Sequence, residues 1–366
     1  MVEKKVAIVL AKRSAIGAYK KSFLDKNIVE VATEILKKSI DKNILNKIDE
    51  VIMGMVMQTN YGQNVARQIS VNSGIPLNAS SYTVNMVCGS GMKAIELAVN
   101  SILLGKSEVI LVGGLENMSS VEYKSLLCDG LTDVFNNYHM GITAENIAKK
   151  YNITRRECDE FALNSTKKAI ENTFKLSEEI VDLDYIFSDE HIRQDQSMEK
   201  LSKLKPAFME NGVVTAGNST GLNDGVAILL LMEENVAKKL NLEILGYIKN
   251  VENIGLDPAY MGLGPVYAIR KLIDRENLNI SDVDLFEINE AFASQVIACI
   301  KELSIDEKKV NVNGGALALG HPIGASGARI VVTLINEMKR RKAKKGIASL
   351  CVGGGQGLAL LIERDN

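Results

Sequence analysis

Histidine is scarce in this chain: His139, His191 and His321 are the only three in 366 residues, and tryptophan is absent. Imidazole acid–base chemistry is therefore confined to three positions. No apolar run reaches the roughly 20 residues that a bilayer-spanning helix needs, so no membrane partner is expected. The first residues read as a charged start running into a buried strand, with no secretory signal pattern. Zinc-type Cys/His spacing, a His-Glu-x-x-His helix and a Gly-x-x-x-x-Gly-Lys-Ser/Thr phosphate loop are missing, which points to chemistry without a metal or cofactor. A basic face is missing too. The net charge is −2 with the two signs interspersed, which speaks against a nucleic-acid partner, and the lysines of 342–345 read as a solvated helix end. The five cysteines (Cys88, Cys128, Cys158, Cys299 and Cys351) lack the spacing of a disulfide framework. They suit a reduced, cytoplasmic setting, and their odd number raises the question of whether one or two thiols are reactive.

Against these absences stands an ordinary soluble balance of 46% apolar and 24% charged residues, in a chain longer than one core usually organises. Strands are expected at 6–10, 48–57, 82–87 and 108–112, with helices at 29–39, 64–73 and 92–104 between them. This alternation predicts an α/β layered fold with a largely buried sheet. The last third repeats the grammar, with a helix at 265–274, a strand at 283–288, a helix at 328–338 and a strand at 347–352. "IDEVIMG" at 48–54 aligns with "VDLFEIN" at 283–289, and "GSGMKAIELAVNSI" at 89–102 aligns with "GASGARIVVTLINEM" at 324–338. The reading is two pseudo-symmetric halves whose equivalent loops converge on one site. Residues 1–118 form the first half, 119–213 an inserted loop domain with a helix at 154–172, 214–240 a return strand and helix of the first half, and 241–366 the second half.

Cys88 ends an apolar strand and directly precedes Gly-Ser-Gly and a helix. A thiol at a helix N-terminus faces unpaired N–H groups and the positive end of the dipole, which is expected to lower its pKa. The competing reading is a buried, inert cysteine. His321, between Gly320 and Pro322 in "GGALALGHPIGASG", is placed to act as a base toward Cys88, or else to satisfy loop backbone groups. Cys351 opens "CVGGGQG", whose glycines would bring backbone N–H groups close to a ligand, as an oxyanion hole requires. Asn289, at a strand end in "EINEAFA", would hold a water or a carbonyl, or would cap the next helix.

Taken together, "VNMVCGSGMKA" around Cys88, "NEAFA" from Asn289, "GHPIGASGAR" around His321 and "CVGGGQG" from Cys351 resemble the thiolase family. Four further segments fall in family order: "GQNVARQ" at Gly62, "GGLENMS" at Gly113, "HMGITAENIA" at His139 and "VTAGNSTGLNDG" at Val214. The resemblance implies a five-layered α/β/α/β/α fold and a reversible ping-pong Claisen condensation of acetyl-CoA to acetoacetyl-CoA and CoA. Coenzyme A thioesters would be substrates, and no cofactor is implied. Cys88 would carry the acyl group, His321 would take the thiol proton, and Cys351 would move the substrate α-proton. One oxyanion hole would combine His321 with a water held by Asn289, and the other would use the N–H groups of Cys88 and Gly353. His139 and Met140 would close a short acyl pocket. Phe208, Ala216, Thr220 and Phe292 would line the pantetheine arm, and Arg193 would lie near the nucleotide end. Thr220 departs from the family's usual Ser but keeps the hydroxyl.

The "HMG" at His139 resembles the biosynthetic, acetoacetyl-CoA branch. The alternatives are a degradative 3-ketoacyl-CoA thiolase of broader chain length and, further off, a ketoacyl-synthase-type condensing enzyme. A larger departure lies between Ser120 and Asp129, with a second near Val181 to Glu190, where the chain is shorter than the family's usual tetramer-forming loop. A homo-oligomer is expected, a dimer rather than a tetramer.

Overall fold

The structure, a computed structural model, describes residues 4–365. Its first half builds on five strands: β1 (Val6–Arg13), β2 (Glu50–Gly54), β3 (Ser80–Val84), β4 (Val109–Asn117) and β5 (Asn223–Glu233). They lie in the order β3-β2-β4-β5-β1, with β3, β2 and β4 parallel and the other pairings antiparallel. The second half repeats this with β6 (Gly246–Gly255), β7 (Leu285–Ile288), β8 (Lys345–Val352) and β9 (Gln356–Glu363), in the order β7-β8-β9-β6. A bridge from Phe286 to Val310 stands where β3 stands in the first half. The first strands of the two halves, β1 and β6, pair antiparallel through Val6–Ile248, Ala7–Tyr247 and Ile8–Gly246. The two sheets thereby share one hydrogen-bonded path with a pseudo-twofold relation across that pairing.

Strands β2, β4, β5 and β8 are buried along almost their whole length and largely apolar on both faces, as strands of a sheet covered on both sides must be. Along β2 and β4, alternate residues go to different cores. Val51, Met53, Val109 and Leu111 pack outward against α1 (Ile28–Ser39) and α2 (Val65–Ser73). Ile52, Ile110 and Val112 pack inward on α3 (Ser90–Leu103). Two helices of the insertion follow, α4 (Met140–Lys150) and α5 (Arg155–Glu171), the latter opened by a capping box between Thr154 and Glu157. They share a core with α6 (Gly264–Glu276) and α7 (Ala293–Leu303) on the outer face of the second sheet. The last helix, α8 (Ile323–Arg341), joins α3 in the central layer. The expected α/β/α/β/α order is what forms.

One expectation fails in an informative way. The second helix was expected to start at 328, after a glycine elbow, but α8 already begins at Ile323. Its glycines serve helix packing rather than a turn. A Cβ on Gly327 would lie 2.5 Å from the Met92 nitrogen, and one on Gly91 would lie 2.8 Å from the Ala328 nitrogen. The two central helices therefore cross with their backbones almost touching, and this brings the two halves' loops together at the helix N-termini. Strands β6 and β9 and helices α4 and α7 were not foreseen either.

One buried carboxylate braces the halves. Glu116 on β4 accepts hydrogen bonds from Val56 and Met57 of the first half and from Gly324 in the first turn of α8, at 2.9–3.1 Å. Burial pushes its carboxyl up to about 7 despite these donors. A second buried carboxylate, Glu287 on β7, lies 3.6 Å from Arg329 of α8 within the second half, and burial pushes it up to about 8. A folded-state pKa above the ordinary carboxylate value of 4.5 means that the native protein holds a proton the unfolded chain has released. This contribution to stability is complete at low pH and is lost as the pH rises toward 8. Glu287→Gln mimics the protonated group. It is expected to melt with the wild type near pH 5 and progressively above it from pH 6 to 8, by differential scanning fluorimetry; a constant offset across that range would contradict the assignment.

Candidate active site

Cys88 sits where the chain leaves β3 for α3. Val87, just before it, has φ +46°, a left-handed conformation that a β-branched residue rarely adopts. The turn is pinned from within. Ser90 Oγ accepts from the Met86 N–H at 2.9 Å and donates to the Val87 carbonyl at 2.7 Å, while Asn85 Oδ1 accepts from the Val87 N–H at 2.9 Å. The elbow expected from the glycines is present.

Its expected electrostatics are not. Cys88 is partly exposed to a cavity but otherwise enclosed, and burial pushes its thiol up to about 11. The N–H groups of Gly353 and of Cys88 itself point at the sulfur and pull the other way, and Glu116 adds to the rise. The helix starts at Ser90, two residues further on. In the free protein Cys88 is a thiol that needs a base.

His321 supplies a neutral imidazole. Burial pushes it down to about 3, with the Arg329 charge adding to the effect. Its backbone N–H donates to Asn223 Oδ1 at 3.0 Å, and Asn223 in turn donates to the Gly17 carbonyl at 3.0 Å. Gly320 precedes it at φ +109°, where any Cβ would lie 2.5 Å from the Asn223 side chain, so only glycine fits. The ring Nδ1 is 2.5 Å from Ser326 Oγ, and Nε2 has no partner among the described residues. Asn289, directly after β7, is fully buried behind the ring, with Nδ2 3.5 Å from Nδ1 and an unpartnered Oδ1.

Cys351 is the penultimate residue of β8 and is buried. Gly354 and Gly355 then turn the chain into β9 at φ +83° and +80°. Burial pushes this thiol well above the ordinary range, and a charge on nearby Cys88 pushes it further.

All these groups except Asn289 open on one cavity of about 340 Å³. Cys88, His321, Cys351 and Gly353 line it. His139, Met140, Arg193, Phe208, Ala216, Thr220 and Phe292 line it as well. His139 caps α4, accepting from the Gly141 N–H at 3.0 Å, and stacks on Phe208 with centroids 4.6 Å apart. Phe208 meets Phe292 edge-on at 6.2 Å. Burial lowers the pKa of His139, so among the described residues of the lining Arg193 alone carries a positive charge. Sequence reasoning missed the apolar remainder, notably Met118, Tyr123, Leu131, Leu222, Met261 and Ile323. Those from the short loop carry no periodicity or motif that would have marked them. Among the described residues, no three His, Cys, Asp or Glu side chains cluster to hold a metal ion, and no helix is long and apolar enough to cross a membrane.

Two family models match almost end to end: the thiolase N-terminal domain over residues 6–235 and the thiolase C-terminal domain over residues 242–364. Among curated proteins, an acetyl-CoA acetyltransferase of Cupriavidus necator is 45% identical, across 98% of this chain and 99% of that protein. The crystal structure of the Bacillus anthracis acetyl-CoA acetyltransferase superposes with TM-score 0.94 at 42% identity, covering 99% of each chain. Human mitochondrial 3-ketoacyl-CoA thiolase in complex with CoA superposes with TM-score 0.95 at 35% identity, covering 100% of this chain and 99% of that one.

Proposed function

The chain belongs to the thiolase family, and on that premise we infer that it is an acetyl-CoA C-acetyltransferase, an acyltransferase that joins two acetyl-CoA into acetoacetyl-CoA and CoA and runs the reverse. The observation that carries this reading is the convergence of two thiols, Cys88 and Cys351, and the unpartnered Nε2 of His321 on one cavity.

Acetylation comes first. His321 Nε2 takes the Cys88 proton as Sγ attacks the thioester carbonyl, and the N–H groups of Cys88 and Gly353, already aimed at that sulfur, hold the tetrahedral oxyanion. The C–S bond to CoA breaks and the departing sulfur takes the Cys351 proton. Acetyl-Cys88, a His321 imidazolium and a Cys351 thiolate remain. Burial makes that thiolate a strong base, suited to a weakly acidic carbon. It removes the α-proton of the second acetyl-CoA while His321 Nε2–H stabilises the enolate oxygen. The enolate carbon attacks acetyl-Cys88, and the released sulfur recovers its proton from His321. Every proton is returned.

His139 and Met140 close the acyl end, so short chains are favoured; Phe208, Ala216, Thr220 and Phe292 hold the pantetheine arm, and Arg193 faces the phosphates. The Thr220 N–H donates to the Ala291 carbonyl at 3.2 Å, which ties these two segments together. CoA-dependent cleavage of acetoacetyl-CoA is expected to exceed that of a long-chain 3-ketoacyl-CoA by at least roughly 100-fold in kcat/KM, since each ill-fitting methylene is worth about 10-fold or more. Comparable rates would favour the degradative branch.

The alignment to the C. necator protein runs over 389 positions against 366 residues here, in keeping with loops shorter than its relatives'. The segment that would join dimers is reduced to a one-turn helix, a π-turn and a two-residue hairpin between Tyr123 and His139. This shortening supports a homodimer; light scattering at micromolar concentration is expected to give twice the chain mass, and a stable tetramer would contradict it. Unpaired cysteines, two of them reactive, suit a reducing cytoplasm.

A further inference from the structure

Two short contacts meet at one hydroxyl in the first turn of α8. Ser326 Oγ lies 2.8 Å from the Pro322 carbonyl oxygen and 2.5 Å from His321 Nδ1. Each separation needs a proton between its heavy atoms, because bare lone pairs at such distances repel. The hydroxyl has one proton to give. Pro322 contributes a carbonyl, which only accepts. The serine proton therefore lies toward Pro322, in the i to i−4 bond that serines commonly make in helices. The proton between Ser326 and His321 must then come from the imidazole.

We propose that Ser326 is a positioning residue that holds His321 as the Nδ1–H tautomer and leaves Nε2 a bare lone pair on the ring edge away from it. The surroundings agree. Nε2 has no partner among the described residues, and the ring lines the cavity. Asn289 Nδ2, at 3.5 Å from Nδ1, is too distant for a good hydrogen bond and would face an N–H. Ser326 is itself 1% exposed, and its helix is held against α3 by the close glycine contacts, so the hydroxyl has little room to swing away. This inference rests on His321 acting as the proton acceptor for Cys88, and it deepens that assignment. A resting Nε2–H tautomer would meet the thiol donor to donor and would leave the cysteine without a base. The bare Nε2 accepts the proton, and Nδ1–H keeps its bond to Ser326 throughout.

His139 provides an internal contrast. Its Nδ1 accepts from the Gly141 N–H at 3.0 Å, so its proton is on Nε2. The two cavity histidines thus hold opposite tautomers.

With three histidines in the chain, nitrogen-15 labelling of histidine and a long-range proton–nitrogen correlation spectrum of the full-length protein can resolve each ring. The His321 signals are assigned by their loss in His321→Ala. The expected result is a protonated Nδ1 and a bare Nε2 at His321, with the reverse at His139. Ser326→Ala is expected to convert His321 to a tautomer mixture and to lower kcat on the order of 10- to 100-fold, with KM changed little. Nε2–H at His321 in the wild-type protein would overturn the proposal, as would a Ser326→Ala protein that keeps both the Nδ1–H signal and its kcat. Failure of the underlying reading looks different: His321→Ala would then cleave acetoacetyl-CoA normally, whatever the tautomer spectrum shows.

Discussion

Cys88→Ser is expected to lower kcat for acetoacetyl-CoA cleavage by roughly 10⁴- to 10⁶-fold, the scale seen when a nucleophile that works as a unit with its base is removed. Serine fits the same elbow, so the strained Val87 turn and the bonds of Ser90 persist, and the melting temperature should move little. The loss is chemical. Enclosure already pushes the Cys88 thiol up to about 11, against a neutral imidazole pushed down to about 3. Proton transfer between these two is uphill at rest and succeeds because the developing oxyanion is held by the Gly353 and Cys88 N–H groups as the bond forms. A serine hydroxyl, far less acidic than a thiol, adds several pH units to that gap. Steady-state cleavage followed at the thioester absorbance, alongside thermal melts, checks both halves of the expectation; a variant that keeps more than about a tenth of the wild-type rate would remove Cys88 from its role.

The second large effect separates the two half-reactions. Cys351→Ala is expected to abolish condensation and thiolysis by roughly 10²- to 10⁴-fold, the usual contribution of a placed acid or base, while slowing acetylation of Cys88 far less. CoA leaves readily as a thiolate because an ordinary thiol ionises near about 8.5, so the missing proton donor costs little in the first half. No such escape exists in the second half, where an α-carbon proton must be removed. Exchange of labelled CoA into acetyl-CoA reports acetylation alone, and acetoacetyl-CoA production reports the whole cycle. Equal losses in both assays would show that Cys351 supports the fold of the cavity rather than moving the proton.

The reach of the sequence is clearest at Cys88. A strand, a cysteine and Gly-Ser-Gly before a helix were enough to place a thiol at an elbow, and the repeated pattern around His321 and Cys351 placed the partners. The paired order β3-β2-β4-β5-β1 and β7-β8-β9-β6 follows the repeat that "IDEVIMG" and "VDLFEIN" announced. The limits have physical causes. The thiol pKa was misjudged because enclosure depends on residues scattered from 116 to 353, and no local pattern encodes the loss of water. The start of α8 was misplaced because Gly324 and Gly327 look like helix breakers in one dimension, while in three they let two helices touch. Asn289 was found by its motif but stands behind His321 rather than on the cavity wall. Ser326 lay inside a quoted motif, yet its role shows only once the distances to Pro322 and His321 are known. The apolar wall from Met118, Tyr123 and Leu131 left no trace in the sequence, since single apolar residues in a short loop are common everywhere.

Intact-protein and peptide mass spectrometry of Cys351→Ala after brief incubation with acetyl-CoA addresses the central claim, that Cys88 carries the acyl group while Cys351 moves the proton. With the second half-reaction blocked, the account predicts that one acetyl group accumulates per chain, located on the peptide containing Cys88 and released by added CoA. An unmodified protein, or an acetyl group on any of the other cysteines, would contradict it.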